Sequence, residues 1–278
     1  MKKGICIWSF PKAPLEESFA LAKKLGYEGV EVEFSYDDGF LNMSSTKEDA
    51  LRVKKAAEDA GIKLYSVCSG MGWNIPMTSN DPEVRALAKE GIKKQLDVAS
   101  WLGCDTILIV SGFCNVSFRP NSEIIPYQLA YDRAFEVLKE LAPYAEEKKV
   151  AIGIENVGNK MFCSPIELRD FIDKIGSDYV GSYLDVGNVM KYGYPEHWIE
   201  ILGDRIKKVH FKDFKLATNS QVDLLEGDVN YPAVIEALNK VGYDGWCTAE
   251  MGFYKHYPTA LLQVTSLAMD IIFGKNVL

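Results

Sequence analysis

No apolar run in this 278-residue chain approaches the 18 or so residues that cross a membrane. The first run, from Met1 to Trp8, is short and is soon followed by Pro11, so it resembles a first strand and not a signal peptide. A basic excess is also missing, because the net charge is −8, whereas nucleic-acid binders usually carry a basic face. We therefore expect a soluble, cytoplasmic protein without a membrane or nucleic-acid partner.

Two common motifs are absent as well. None of the six cysteines forms a C-x-x-C pair, which favours free thiols in a reducing compartment over a disulfide framework. No G-x-G-x-x-G follows the first predicted strand, which argues against an open doubly wound sheet that binds a dinucleotide. No linker or low-complexity segment divides the chain, so we expect one domain over residues 1–278.

A strand-then-helix alternation repeats along the whole chain. The strands are short apolar runs bounded by turn residues, as in a sheet that is buried on both faces. Eight are predicted: 4–8, 29–34, 62–68, 105–110, 150–155, 180–185, 206–211 and 246–250. Helix starts lie between them, including a cap with proline at Asp81-Pro82 and a capping box from Ser164 to Glu167. Eight such units predict an α/β fold, a closed (β/α)8 TIM barrel.

Four polar residues end four consecutive strands in the second half of the chain. They are Glu155, Asp185, His210 and Glu250, separated by 30, 25 and 40 residues, which leaves room for a helix between parallel strands. In such a barrel the strand ends meet at one face, where active sites lie. Three oxygen ligands and one nitrogen favour a divalent ion, Mn²⁺ before Mg²⁺, Co²⁺ or Zn²⁺. The plainer interpretation, charges paired with lysine or arginine, weakens when all four positions are taken together.

The remaining histidines are weaker candidates. His197 follows Pro195 inside a helical stretch, where we expect it to be solvated. His256 lies after the eighth predicted strand and is close enough in sequence to reach the barrel mouth. Only His210 ends a strand.

The pattern as a whole resembles the sugar phosphate isomerase/epimerase family, within the xylose isomerase-like TIM barrel superfamily. The motifs that carry the resemblance are Gly26-Tyr-Glu-Gly-Val-Glu31, Ile154-Glu155-Asn156, Leu184-Asp185-Val-Gly-Asn188, Val209-His210-Phe-Lys212-Asp213 and Ala249-Glu250. In the similar ketose 3-epimerases, the glutamates that match Glu155 and Glu250 bind the metal and exchange protons with the substrate. The resemblance leaves Asp185 and His210 as holding ligands and implies an isomerase, with homodimers or homotetramers common in the family.

The implied chemistry is consistent with these residue types. A proton next to a sugar carbonyl is too weakly acidic to remove unless the resulting cis-enediolate is stabilised, and a divalent ion can spread that charge. Two carboxylates on opposite sides of one carbon can then act as base and acid. We therefore expect a metal-dependent sugar or sugar-phosphate isomerase/epimerase of carbohydrate metabolism.

Further residues on the same rim are candidates for substrate binding. For each, packing or pairing is an alternative: Glu31 can pair with a charge inside the barrel, and Lys212 can neutralise the carboxylates. Asn156 and Asn188 can orient a ligand carboxylate instead of a sugar hydroxyl. The full set of predicted substrate contacts is Trp8, Glu31, Trp73, Asn156, Asn188 and Lys212.

Several departures from the free-hexulose 3-epimerases leave the substrate open. Gly187-Asn188-Val189 stands where those enzymes carry a histidine, and Phe214-Lys215-Leu216 stands where they carry an arginine. Leu225 replaces a glycine that often begins the segment before the last helix, and no glycine-rich phosphate cradle is present. A phosphorylated and a free sugar both remain open.

Other functions remain as alternatives. Inosose dehydratase-like, hydroxypyruvate isomerase-like or oxidised-glycoside lyase chemistry would keep the same metal. An apurinic-site endonuclease on this barrel would need more histidines than three. A non-catalytic sugar-binding barrel would not need the quartet.

Overall fold

The computed structural model of the protein describes residues 1–119 and 121–275. Eight parallel strands close into a barrel in the order β1-β10-β7-β6-β5-β4-β3-β2. They are β1 (Lys2–Cys6), β2 (Gly29–Glu33), β3 (Lys63–Cys68), β4 (Thr106–Ile109), β5 (Ala151–Glu155), β6 (Val180–Asp185), β7 (Ile206–Phe211) and β10 (Trp246–Ala249). A short antiparallel hairpin, β8 (Asp213–Lys215) and β9 (Ser220–Val222), lies between β7 and β10. The predicted TIM barrel is confirmed.

Helices separate the strands and cover the barrel. They are α1 (Leu15–Lys24), α2 (Lys47–Asp59), α3 (Pro82–Leu102), α4 (Tyr127–Lys148), α5 (Pro165–Ile175), α6 (Val186–Val189), α7 (Pro195–Leu202), α8 (Tyr231–Lys240) and α9 (Pro258–Ile272). Three single-turn 3₁₀ helices follow β1, β3 and α7, at Ile7–Ser9, Met71–Trp73 and Gly203–Arg205. None of the helices in the described ranges has the length and apolar content that a membrane span requires.

Helices α2, α3 and α5 each begin after a capping residue, but the capping box occurs at α2 and not at α5, where it was predicted. Asp81 caps α3 by accepting from the Glu83 N–H, with proline at the first helical position as predicted. The predicted capping box at Ser164 is wrong, because Ser164 accepts from the Ile166 N–H while Glu167 accepts a bond from Tyr127. A capping box forms instead at the start of α2, between Thr46 and Asp49.

Aromatic rings fill the end of the barrel where its strands begin. Tyr65 and Trp246 stack with ring centroids 4.0 Å apart and planes 6° from parallel. Glycine faces them from the neighbouring strands: a Cβ on Gly4 would lie 2.1 Å from the Tyr65 hydroxyl, and one on Gly29 would lie 2.7 Å from the Trp246 ring. The Tyr65 hydroxyl pairs with Thr248 Oγ1 at 2.7 Å, which satisfies the buried polar group. The site therefore lies at the opposite end, where the strands finish.

All six cysteines carry free thiols. Cys6 and Cys68 lie closest, with their sulfur atoms 3.7 Å apart inside the barrel. They belong to β1 and β3, which β2 separates, so their backbones are about 9–10 Å apart and beyond the span of a disulfide. Burial raises the pKa of both thiols, which keeps them protonated.

Candidate metal centre

The predicted quartet meets at the carboxyl ends of four adjacent strands. Glu155 and Asp185 end β5 and β6, His210 lies in β7, and Glu250 directly follows β10. Asp185 and His210 are register partners across β6 and β7, so their side chains leave the sheet at the same level. One ligand atom from each residue lies within 4.8 Å of the others. The four residues, each 25 to 40 positions from the next in the sequence, are therefore neighbours in the structure.

The donor atoms of the quartet fit a divalent cation. Among the described residues, Glu155 Oε1, Asp185 Oδ2, His210 Nδ1 and Glu250 Oε2 are buried and form no hydrogen bond of acceptable geometry. His210 Nδ1 lies 2.7 Å from Glu250 Oε2 and 3.7 Å from Glu155 Oε1. Three carboxylates this close together need positive charge beside them, and Lys212 supplies only part of it. Three oxygens and one imidazole nitrogen are a donor set that Mn²⁺ and similar ions accept.

The hydrogen bonds around Asp185 use one of its carboxylate oxygens and leave the other, Oδ2, facing the quartet. Its Oδ1 accepts from the Asn188 N–H at 2.8 Å, which caps the short helix α6. Asn156 makes two bonds to the Asp185 backbone, one to its N–H at 2.8 Å and one to its carbonyl oxygen at 2.9 Å. These contacts hold β5 and β6 in register and direct Oδ2 toward the centre. Asn156 and the Asn188 backbone thus orient a predicted ligand.

Lys212 lies beside the carboxylates. Its Nζ is 2.9 Å from Asp185 Oδ2, 2.9 Å from Glu250 Oε2 and 3.8 Å from Glu155 Oε1. Burial alone would lower the pKa of its ammonium group, but Asp185 and Glu250 raise that pKa well above its ordinary value. Lys212 therefore remains a cation and offsets part of the negative charge of the quartet.

Glu31 lies inside the barrel and contacts His210 from the side away from the other ligands. Its Oε2 accepts from His210 Nε2 at 2.9 Å, its Oε1 accepts from the Tyr183 hydroxyl, and its side chain has no exposed surface. Burial would raise the pKa of Glu31, but His210 and Tyr183 lower it below its ordinary value. Of the two predicted interpretations, the structure shows the pairing charge inside the barrel, with histidine as its partner.

This contact fixes the orientation of the imidazole ring. A carboxylate on Nε2 leaves Nδ1 as the nitrogen that faces Glu155 and Glu250. The Tyr183 ring packs edge-on against the imidazole, with centroids 4.7 Å apart and an interplanar angle of 67°. Tyr183 was not singled out from the sequence, although its place two residues before Asp185 puts it on the same inward face.

The two tryptophans lie on the rim of the barrel. Trp8 is half-buried in the 3₁₀ turn after β1 and packs against a small interior cluster of Cys6, Cys68, Leu108 and Tyr183. Trp73 lies in the 3₁₀ turn after β3 and meets Phe118 edge-on at 5.2 Å. His197 and His256 are exposed and lie outside the quartet.

Asp213 organises the loop that follows His210. Its carboxylate accepts four backbone N–H groups, from Phe214, Leu225, Gly227 and Val229, at 2.8–3.2 Å. Leu225 has a φ of 74°, a left-handed conformation that glycine adopts at lower cost. The glycine that Leu225 replaces would therefore be the easier residue at this turn. This loop borders the opening beside Lys212 and Glu250.

Comparison with known proteins identifies the family of the chain. The family profile for the xylose isomerase-like TIM barrel matches residues 19–267. The chain is 26% identical over 237 residues to L-ribulose-5-phosphate 3-epimerase UlaE from Escherichia coli, covering 84% of this chain and 81% of that protein. The prediction of an isomerase-class enzyme is confirmed at this level by its epimerase relatives.

Solved structures share the fold over nearly the full length. The 3-keto-D-glucoside 4-epimerase YcjR from Escherichia coli superimposes with a TM-score of 0.80 at 19% identity, covering 99% of each chain. D-psicose 3-epimerase from Clostridium cellulolyticum H10 gives a TM-score of 0.80 at 19% identity, again covering 99% of each chain. The chain belongs to the xylose isomerase-like TIM barrel family.

Proposed function

We propose that this protein is a metal-dependent sugar epimerase of the ketose 3-epimerase type. It would remove a proton from the carbon next to a sugar carbonyl and return a proton to the opposite face. The observation that carries the proposal is the convergence of three carboxylates and one imidazole within 4.8 Å of one another, with glutamates at the ends of β5 and β10 on its two sides. The resemblance to L-ribulose-5-phosphate 3-epimerase supports the reaction class.

The two glutamates lie on either side of the other ligands. In the barrel order β10-β7-β6-β5, the strands that carry His210 and Asp185 separate Glu250 from Glu155. Carboxylates placed in this way reach a bound carbon from two sides, as inversion at that carbon requires. An aldose–ketose isomerase needs only one such base.

The surroundings of the two glutamates shift their pKa values in opposite directions. Burial raises the pKa of Glu155 to about 7. Burial acts in the same direction on Glu250, but Lys212 and His210 outweigh it and lower the pKa of Glu250. The two carboxyls therefore differ in proton affinity, as expected for two groups that exchange protons with opposite faces of one carbon. Which glutamate acts first depends on the face from which the sugar presents its proton.

The rest of the site positions these groups. Glu155, Asp185, His210 and Glu250 would hold a divalent ion, with Mn²⁺ the first choice. When bound, that ion supplies positive charge that stabilises the negative charge developing on the substrate oxygens. Lys212 has an ammonium group directed at the same carboxylates and would donate a hydrogen bond to a sugar oxygen above them. The buried position of the centre limits water, which strengthens each of these interactions.

Deuterium exchange tests the proposal. Protein loaded with Mn²⁺ is incubated in D₂O with L-ribulose 5-phosphate, L-ribulose, D-fructose and D-psicose, and the label at C3 is followed by NMR. We expect deuterium at C3 together with the 3-epimer for at least one sugar. Glu155→Gln and Glu250→Gln should each lower the exchange rate by about 10²–10⁴-fold, because each removes one proton-transfer group.

A matched control and a contrary result complete this test. Glu58→Gln, at an exposed position of α2, should leave the rate unchanged. The assignment is wrong if Glu155→Gln and Glu250→Gln both retain the wild-type rate. Label incorporation without any epimer would instead indicate a reaction that begins with the same proton removal, such as dehydration.

A further inference from the structure

A second cavity lies beside the metal centre, over the ends of β1 and β2. Its volume is about 470 Å³, within the range of about 300–1,000 Å³ that is typical of small-molecule sites. The residues that line it come from the end of β2, the start of α1 and the loops after β1, β2 and β10, so it lies at the end of the barrel where the strands finish. The quartet does not line it, and no role for it follows from the metal chemistry.

The cavity is close to the reacting centre. Phe253 lines it and also lines the opening that contains Lys212 and Glu250, so one side chain borders both spaces. Trp8 lines the cavity and packs against the interior cluster that includes Tyr183, which in turn contacts His210. The loops after β1 and β10 are joined by a hydrogen bond from the Met251 N–H to Ser9 Oγ at 2.9 Å. A substrate held at the quartet could therefore extend into this cavity.

Aromatic rings form much of the cavity wall. Trp8, Phe10, Phe40 and Phe253 line it, and two of them are unusually exposed for phenylalanine, Phe40 at 58% and Phe253 at 53%. Exposed large apolar side chains that cluster in a concave site usually mark a surface that binds something. Flat aromatic faces suit the C–H face of a pyranose ring.

The polar residues of the wall select the charge of the occupant. Glu33 and Asp38 contribute two carboxylates, and among the described residues that line the cavity Lys12 is the only cation. The start of α1, at Leu15, also lines the cavity, but its first turn carries Glu16 and Glu17. A phosphate monoester would therefore meet like charge here without a cluster of basic groups to hold it. Carboxylates are instead good acceptors for sugar hydroxyl groups, and Ser35 adds a hydroxyl.

We propose that this aromatic cavity is a subsite for a second, neutral sugar ring attached to the reacting keto sugar. The substrate would therefore be a glycosylated keto sugar and not a sugar phosphate. The inference rests on the proposed function, because it places the reacting sugar at the quartet. It differs from the phosphorylated substrate named for the E. coli relative.

The test compares isomaltulose, fructose 6-phosphate and fructose, three ketoses that differ only in the group on the C6 oxygen. Isomaltulose carries a glucosyl ring on the oxygen that bears phosphate in fructose 6-phosphate, and fructose carries neither. Binding is measured by calorimetry to Mn²⁺-loaded protein and to its Glu250→Gln variant, so that the subsite is tested whether or not turnover occurs. We expect isomaltulose to bind about ten-fold more tightly than either other sugar, because only its second ring fills the aromatic pocket.

Variants of the wall assign the binding to this cavity. Phe40→Ala should weaken isomaltulose binding by about five-fold with little effect on fructose, since it removes one aromatic face. Tyr194→Ala is the matched control, because Tyr194 is also an exposed aromatic residue, at 61%. It lies between β6 and α7, and β6 is four strands away from β2 in the barrel order, so Tyr194 is far from the cavity. Asp38→Lys should improve the binding of fructose 6-phosphate.

Three results would overturn the inference. One is fructose 6-phosphate binding more tightly than isomaltulose to the wild-type protein. Another is isomaltulose affinity that Phe40→Ala leaves unchanged. The third is a dimer in solution that Phe40→Ala dissociates, because a second copy would then occupy the cavity. If free ketoses exchange at C3 but isomaltulose binds no more tightly than they do, the proposed function stands and only the subsite is wrong. If isomaltulose binds in a way that depends on Phe40 but no sugar exchanges, the cavity binds a sugar and the proposed function is wrong.

Discussion

The hydrogen bond between Glu31 and His210 gives a sharp prediction for metal affinity. Glu31→Gln keeps the size of the side chain but removes its charge, so the bond to His210 Nε2 is no longer charge-assisted. The imidazole then becomes a poorer donor to the metal, and its ring loses part of its orientation. Partners of this kind typically change metal affinity by about 10–100-fold, which is about 1.4–2.8 kcal/mol.

The assay is a Mn²⁺ titration of metal-free protein, followed by calorimetry or by the loss of the free-ion signal in electron paramagnetic resonance. Glu28→Gln is the control, since Glu28 is an exposed glutamate just before β2 that does not contact the quartet. Tyr183→Phe removes only the hydroxyl that donates to Glu31 and should lower the affinity by a smaller factor. Circular dichroism and thermal unfolding establish that each variant is folded.

Glu31 does not support the metal site through His210 if folded Glu31→Gln binds Mn²⁺ within about two-fold of the wild-type affinity, which corresponds to less than about 0.5 kcal/mol. Glu31 would then serve the packing of the barrel interior only. A loss of affinity in the Glu28→Gln control would instead mean that the titration reports on overall charge.

Three further predictions concern stability. Saturating Mn²⁺ at about 100 times its Kd should stabilise the fold by about 2.7 kcal/mol and raise Tm by about 5–10 °C over chelator-treated protein, and equal Tm values would contradict a metal centre. Asp213→Asn should lower the free energy of unfolding in urea by about 2–3 kcal/mol, because an amide cannot replace a carboxylate that accepts four backbone N–H groups. Gly187→Ala should cost about 1–3 kcal/mol, because its Cβ would lie 2.6 Å from Lys212 Cβ, whereas Gly158→Ala meets no atom within 4 Å and should be nearly neutral.

The sequence was sufficient to predict the quartet because each of its residues lies at the end of a strand or within one residue of it. Parallel strands in a closed barrel finish at one face, so four strand ends in succession converge whatever the loops do. The same logic explains why the strand positions in the second half were nearly correct. The prediction needed only the alternation of strands and helices.

Contacts across the barrel could not be predicted in the same way. Glu31 and His210 lie on β2 and β7, which are not neighbours in the sheet, and a register shift between Val30 and Val32 decides which side chains of β2 meet those of β3. The first strand was predicted at 4–8 but spans Lys2–Cys6, since its pairing with β10 begins at Lys2 and leaves Trp8 in a 3₁₀ turn. The aromatic cavity is assembled from loops, which carry no periodicity to read.

The stacked rings of Tyr65 and Trp246 have a consequence for the order of events at the site. They block the barrel at the end where the strands begin, so metal ion, sugar and product must all enter and leave at the opposite end, where the strands finish. The quartet lies deeper in the barrel than the position that a bound sugar would occupy. Under the proposed function, a sugar bound above the quartet would cover an ion held there, so saturating sugar should slow the exchange of bound Mn²⁺ for free metal.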